Sequence, residues 1–136
     1  MTGVGAAARP VHCGRVLVAT RDRGFAQAAA ALLARHGYLV ESTDRPSRVP
    51  EMVGTVRPDV VIVDASGGCF FVPYVLAVVE AADSPAGVLQ VGDADEPVAR
   101  GAFSLWKHGP PERLLAEVER VHAGVLAERG SVLAFS

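Results

Sequence analysis

Residues 57–68 read R-P-D-V-V-I-V-D-A-S-G-G, and this stretch decides the fold. Its β-branched run, from Val60 to Val63, is too short for a helix and lies between a proline and two glycines. Such a run is typical of a strand buried on both faces, as in a parallel sheet covered by helices. Asp64 follows the run, and the carboxyl ends of parallel strands line the crevice where ligands bind. Asp64 is therefore the first candidate functional residue, with helix capping as the alternative.

Apolar runs and helical periodicities alternate along the rest of the chain. Short apolar runs predict four further strands, at residues 15–20, 38–43, 85–91 and 103–107. Apolar residues at helical spacing predict helices at 22–36, 46–56, from the loop after Asp64 to about 82, and 110–129. Between the last two strands there is room for at most two helical turns. Strands that alternate with helices indicate the α/β class, with a parallel sheet covered on both faces.

Size and charge restrict the classes of function. A chain of 136 residues and 14.2 kDa is predicted to form one domain at 15–129, with a flexible lead-in at 1–14 and a tail at 130–136. The net charge of −2 lacks the basic footprint of a nucleic-acid-binding domain, so we expect no direct contact with nucleic acid. No apolar run reaches the roughly 18 residues of a membrane span, and residues 1–10 lack the basic start and the apolar run of a secretory signal. We expect a cytoplasmic protein.

Cysteine and histidine give no chemical motif. Cys13 and Cys69 are far apart in sequence and do not form a C-x-x-C pair, so neither a disulfide nor a metal site is expected. The four histidines are scattered, and no Ser/His/Asp or Cys/His arrangement can be assembled. We therefore do not expect an enzyme.

Two charged residues stand at strand ends: P-D-V-V-I-V-D ends at Asp64, and Lys107 lies near the end of the fifth strand. With the strand and helix order, they make residues 15–128 resemble the receiver domain of two-component response regulators. The resemblance implies a flavodoxin-like (βα)5 fold, a three-layer α/β/α sandwich around a five-stranded parallel sheet. It places Asp64 at the phosphoacceptor position and Lys107 at the lysine that pairs with the phosphoryl group. It also places Ser66 at the position whose backbone carbonyl helps to bind magnesium in the family.

The acidic pair that holds Mg²⁺ in this family is missing. The corresponding positions are Thr20 and Arg21, and only Asp22, one residue later, is acidic. Mg²⁺ prefers an octahedral shell of oxygen atoms, so a hydroxyl and a guanidinium remove most of its attraction to the site. We expect no resident cofactor, because Mg²⁺ would depend on Asp22, Asp64 and the Ser66 backbone. Arg21 is expected to lie against Asp64 as a fixed counter-charge.

The positions that transmit phosphorylation in the family are also altered. The Ser/Thr at the end of the fourth strand falls on Val91, and the aromatic residue three positions before the lysine falls on Ser104. The segment from Val91 to Lys107 is shorter than the family's by about one to two helical turns. We therefore expect a reduced fourth helix, on the face that the family uses for output.

Three functions are compatible with this pattern. We favour an atypical receiver, or pseudo-receiver, in which Asp64 and Lys107 form a permanent ion pair that Arg21 accompanies. Such a domain would act through protein contacts, as a homodimer or with a histidine kinase or an output domain.

The second function is a working receiver that is phosphorylated on Asp64, with a substitute metal site. Its carboxylates would come from Asp22 and from Asp93, Asp95 and Glu96. The third is a small-ligand-binding regulatory domain, in which glycines after the strands let a ligand approach the backbone. These glycines are Gly67, Gly68 and Gly92.

Overall fold

A computed structural model describes residues 14–82 and 85–135, with side chains as far as residue 128. Its strands are β1 (Arg15–Ala19), β2 (Leu39–Thr43), β3 (Val60–Asp64), β4 (Gly87–Gly92) and β5 (Phe103–Trp106). Its α-helices are α1 (Arg23–Arg35), α2 (Val49–Val56), α3 (Val72–Ala81) and α4 (Pro111–Phe135), and single 3₁₀ turns at Pro46–Arg48 and Ser66–Gly68 precede α2 and α3. Residues 1–13 of the predicted lead-in, with His12 and Cys13, lie outside the described residues.

The strands form one parallel sheet in the order β2-β1-β3-β4-β5. All five residues of the central strand, β3, are buried. Helices α1 and α4 pack on one face of the sheet and α2 and α3 pack on the other, each over its own apolar cluster. This arrangement confirms the predicted three-layer, flavodoxin-like architecture.

Local signals in the sequence set several helix ends. Helix α1 begins after Asp22, whose side chain accepts a hydrogen bond from the Phe25 amide at 3.0 Å. Gly37 follows the helix with a φ of 92°, a conformation that only glycine adopts at little cost. Pro50 lies in the first turn of α2, where its missing N–H costs nothing.

The connection between β4 and β5 differs from the expectation. Residues 93–102 form turns and irregular chain without a helix, so the predicted short helix there is wrong. Parallel strands are usually joined through a helix, because the chain must return across the sheet with its backbone hydrogen bonds satisfied. Here the return is made by a loop that packs Ala99 and Ala102 against the cluster under α2 and α3.

A buried side chain holds this loop in place. Gln90, in the middle of β4, is only 3 % exposed. Its Nε2 donates to the Pro97 carbonyl at 2.7 Å, and its Oε1 accepts from the Ala99 amide at 3.0 Å. The amide thus satisfies backbone groups that a helix would have satisfied internally.

Helix α4 continues to Phe135, beyond the end predicted near Arg129 and through most of the predicted tail. It crosses β4 very closely at Gly87, where a Cβ atom would lie 2.2 Å from Cγ1 of Val121. Only glycine permits this approach. Within residues 14–82 and 85–135, no helix combines the length and the apolar character needed to cross a membrane.

Candidate functional site

The candidate site lies at the carboxyl edge of the sheet, where β1, β3 and β5 end. Strands β1 and β3 are neighbours with Ala19 opposite Val63, so the next residues, Thr20 and Asp64, come side by side. Lys107 follows the last residue of β5, and its amide donates to the Gly92 carbonyl at 2.9 Å. The parallel register therefore brings together residues that are far apart in sequence.

Both oxygens of Asp64 are fully engaged. Oδ1 accepts from the amide of Ser66 at 3.0 Å and from the Ser66 hydroxyl at 2.5 Å. Oδ2 accepts from the Thr20 hydroxyl at 2.6 Å and from the Lys107 ammonium at 2.9 Å. A carboxylate has about four acceptor positions, and each is filled by a group of this chain. The residue is only 3 % exposed.

The Lys107 ammonium is equally well satisfied. Its Nζ lies 2.9 Å from Oδ2 of Asp64, 2.9 Å from Oδ2 of Asp22 and 3.2 Å from the Ser66 hydroxyl. These three acceptors match its three N–H donors. Phe25 adds a cation–π contact, with Nζ 5.6 Å from the ring centroid. The lysine therefore bridges two carboxylates in a fixed position.

The ionised forms of this network are favoured. Burial raises the pKa of Asp64, but hydrogen bonds from Ser66, Thr20 and Lys107 outweigh it, so the pKa lies below the ordinary value of 3.8. Burial lowers the pKa of Lys107, but its hydrogen bonds to Asp64 and Asp22 outweigh it, and the pKa lies above 10.5. Both groups are charged at neutral pH.

Arg21 is not where the sequence placed it. Its guanidinium Nη1 lies 3.8 Å from the Cys69 sulfur, and no ion pair joins it to Asp64 within the described part of the chain. The predicted contact of Arg21 with Asp64 is therefore wrong. Thr20 fills that space, with its hydroxyl donating to Asp64 and accepting from the Asp22 amide at 2.9 Å.

These residues do not fit a magnesium ion. An ion held by Asp22 and Asp64 would need the space between the two carboxylates, which the Lys107 ammonium fills. Among the described residues, no group of three or more His, Cys, Asp or Glu side chains is arranged to hold a metal. The amide and hydroxyl of Ser66 are both directed to Asp64.

The structure also shows where Val91 and Ser104 lie, the two altered positions that transmit phosphorylation in the family. Strand β4 ends at Gly92 rather than at Val91, and the Val91 side chain is fully buried in the cluster under α1 and α4. Gly92 is therefore the strand-end residue next to Lys107, and it too has no hydroxyl. The Glu96 side chain packs over it, 3.1 Å from where a Cβ would be. Ser104 is exposed on β5.

Comparisons with known proteins bear on the fold. No family model matches the chain, and no curated protein matches it significantly. Solved structures do match it. The signal receiver domain of a putative Luxo repressor from Vibrio parahaemolyticus is 17 % identical with a TM-score of 0.76, over 87 % of this chain and 96 % of that one. The receiver domain of the putative response regulator NarL from Mycobacterium tuberculosis is 22 % identical with a TM-score of 0.72, over 84 % and 99 %. This chain has the receiver-domain fold.

A third receiver-fold structure agrees with this result. The N-terminal domain of a response regulator/sensory box/GGDEF protein from Carboxydothermus hydrogenoformans is 20 % identical with a TM-score of 0.72, over 84 % of this chain and 98 % of that one.

The sequence analysis missed two groups of the candidate site, the hydroxyls of Thr20 and Ser66. The Thr20 hydroxyl was considered only as a replacement for a metal-binding carboxylate, and for Ser66 only the backbone carbonyl was considered, although both residues follow strands that end at the site.

Proposed function

We propose that this chain is a receiver-like signalling domain of the two-component type that is not phosphorylated and works through protein contacts. The observation that carries the proposal is the saturated carboxylate of Asp64, whose two oxygens accept four hydrogen bonds from the chain itself. It is a domain that binds and does not catalyse.

Saturation of Asp64 opposes phosphoryl transfer in two ways. The attacking oxygen needs a free lone pair directed at the incoming phosphorus, and every acceptor position is already occupied. The developing negative charge also needs a metal ion or an equivalent cation, and the family's acidic pair is absent. The ammonium of Lys107 holds two carboxylates and has no donor left for a phosphoryl group.

Treatment with acetyl phosphate and Mg²⁺ is expected to add no phosphoryl group to the protein. The measurement is intact-mass spectrometry over a series of Mg²⁺ concentrations, with Asp64→Asn treated in parallel. A receiver domain with both acidic residues serves as the positive control for the reagent. A single phosphoryl addition to the wild-type chain that disappears in Asp64→Asn would overturn the proposal and establish a working receiver.

The surface left open beside β5 is suited to a protein partner. Leu105 packs into the cluster under α1 and α4, so Ser104 and Trp106 project from the opposite face of this edge strand. Within the described residues no helix lies between β4 and β5 to cover that face, and Trp106 remains 53 % exposed. Large exposed apolar side chains on an uncovered edge are typical of interaction sites.

A second copy of the chain is the partner we propose for this surface. Sedimentation velocity over a range of concentrations is expected to show a reversible dimer. Trp106→Ser should raise the dissociation constant at least about tenfold, because exposed aromatic residues dominate interface energy. Tyr74→Ser, at a similarly exposed aromatic residue on α3, is the matched control. A monomer at every concentration would rule out the homodimer.

A further inference from the structure

A polar cleft lies beside the candidate site, at the carboxyl ends of β1 and β2. It has a volume of about 640 Å³, which falls within the range of small-molecule sites. Thr20 forms part of its wall, so the cleft adjoins the Asp64 network. Parallel α/β sheets bind ligands at this edge, beyond the ends of their strands.

Four arginines line the cleft: Arg21, Arg23, Arg45 and Arg48. They are concentrated there although the whole chain has a net charge of −2. Arg21 contacts the Cys69 sulfur and Arg48 pairs with Glu51 at 3.4 Å. The guanidinium groups of Arg23 and Arg45 form no hydrogen bond or ion pair with any other described residue. Their donors are available to an anion, and guanidinium groups bind phosphate in a two-pronged manner.

Hydrogen bonds fix the base of this cleft. The Thr20 amide donates to the Thr43 carbonyl at 3.1 Å and so ties the ends of the two strands together. The Thr43 hydroxyl accepts from the Arg45 amide at 3.2 Å and sets the turn that carries this arginine. Thr43 itself is 8 % exposed, so the turn stands on a buried anchor. The cleft is thus a built feature of the fold.

Two carboxylates, Glu41 and Asp44, share the cleft with the arginines. They disfavour an inorganic anion, because they would repel it, and they favour a ligand that also brings hydroxyl or amino donors. We propose that this cleft binds a nucleoside di- or triphosphate, with the arginines on the phosphates and the carboxylates on the sugar or base. This inference is independent of whether Asp64 is phosphorylated.

A nucleic-acid chain suits the cleft less well. Its affinity would depend on many phosphate contacts along a basic stripe, and the acidic net charge of this protein opposes a polyanion. The cleft is compact and carries arginines next to carboxylates. It therefore matches a single nucleotide, which has both phosphates and hydroxyl or amino groups.

Isothermal titration calorimetry with ATP, ADP, GTP and pyrophosphate, without Mg²⁺, tests the proposal on the full chain. The double variant Arg23→Gln/Arg45→Gln is expected to weaken nucleotide binding at least about tenfold, since charge-assisted hydrogen bonds to both guanidinium groups are lost. The control, Arg35→Gln/Arg113→Gln, removes the same charge outside the cleft and should leave the affinity within about twofold. Circular dichroism establishes that both variants fold.

Binding that is lost in the cleft variant and kept in the control would support the proposal. No heat with any nucleotide, or equal weakening in both variants, would overturn it. Pyrophosphate that binds as tightly as ADP would overturn the nucleoside assignment. A single-stranded oligonucleotide that displaces ATP at lower concentration than ADP does would replace it with nucleic-acid binding.

Discussion

Replacing Lys107 by methionine is expected to lower the free energy of unfolding at pH 7 by about 3–5 kcal/mol, the range observed when one partner of a buried ion pair is removed. The lysine side chain is only 7 % exposed and lies 2.9 Å from Oδ2 of Asp64. Methionine keeps much of the aliphatic stem but leaves that carboxylate without its counter-charge. Urea denaturation followed by circular dichroism measures the loss.

The double variant Asp64→Asn/Lys107→Met completes the test. It removes both charges, so its loss should be smaller than the sum of the two single losses. Additive losses would contradict a direct interaction between the two groups.

The effect of Lys107→Met also depends on pH. The folded pKa of Asp64 lies below 3.8, so its contribution is present above that pH and disappears as the pH falls through the folded pKa. The folded pKa of Lys107 lies above 10.5, so its contribution is present below that value and disappears as the pH rises through the folded pKa. The difference between wild type and variant should be constant from about pH 5 to 9 and shrink at both extremes. A difference that grows on acidification would contradict this assignment.

The second large effect is expected at Gln90. Gln90→Leu removes both hydrogen bonds to the 93–102 loop and should destabilise the protein by about 1–3 kcal/mol, because the Pro97 and Ala99 backbone groups lose their partner. Hydrogen exchange is expected to become faster in this loop before it changes in β3. Urea denaturation and exchange mass spectrometry measure the two effects.

Gln27→Leu provides the matched control. It is the same substitution at an exposed position of α1, where the change should stay within about 0.5 kcal/mol. If Gln90→Leu were as mild as this control, the side-chain amide would not be what holds the loop.

The sequence was sufficient for the architecture. The β-branched run from Val60 to Val63 predicted a fully buried central strand, because a strand without polar positions can only lie between two layers of helices. The cap at Asp22 and the glycine at position 37 placed the ends of α1, because both act on their own neighbours.

The connection after β4 could not be predicted in the same way. Its length indicated a short helix, but the outcome depends on a contact across the chain between Gln90 and the backbone at 97–99. A single polar residue in an otherwise apolar strand was the available signal. It indicates a buried partner and does not say which backbone groups will supply it.

The sequence located the site but not its hydrogen bonds. Asp64 and Lys107 were expected to meet, and they lie 2.9 Å apart. The contact of Arg21 with Cys69 was missed because a long exposed side chain can reach several neighbours, and the sequence does not show which of them it contacts. The sequence analysis placed the end of β4 at Val91, one residue before its actual end at Gly92. The register of β4 is set by its pairing with β3 and β5, which the sequence of β4 alone does not show. The assignment of Asp64 to the phosphoacceptor position stays a prediction.

The matching of three ammonium donors to three acceptors around Lys107 has a consequence for how such a domain is controlled. A side chain whose donors are all satisfied can move only by breaking an ion pair or a hydrogen bond, so the three contacts hold Lys107 in one position. If the domain acts through contacts between its copies, as proposed above, the amount of complex follows mass action, through the dissociation constant and the concentration of the chain. The rates at which the protein is made and degraded would then set how much complex is present.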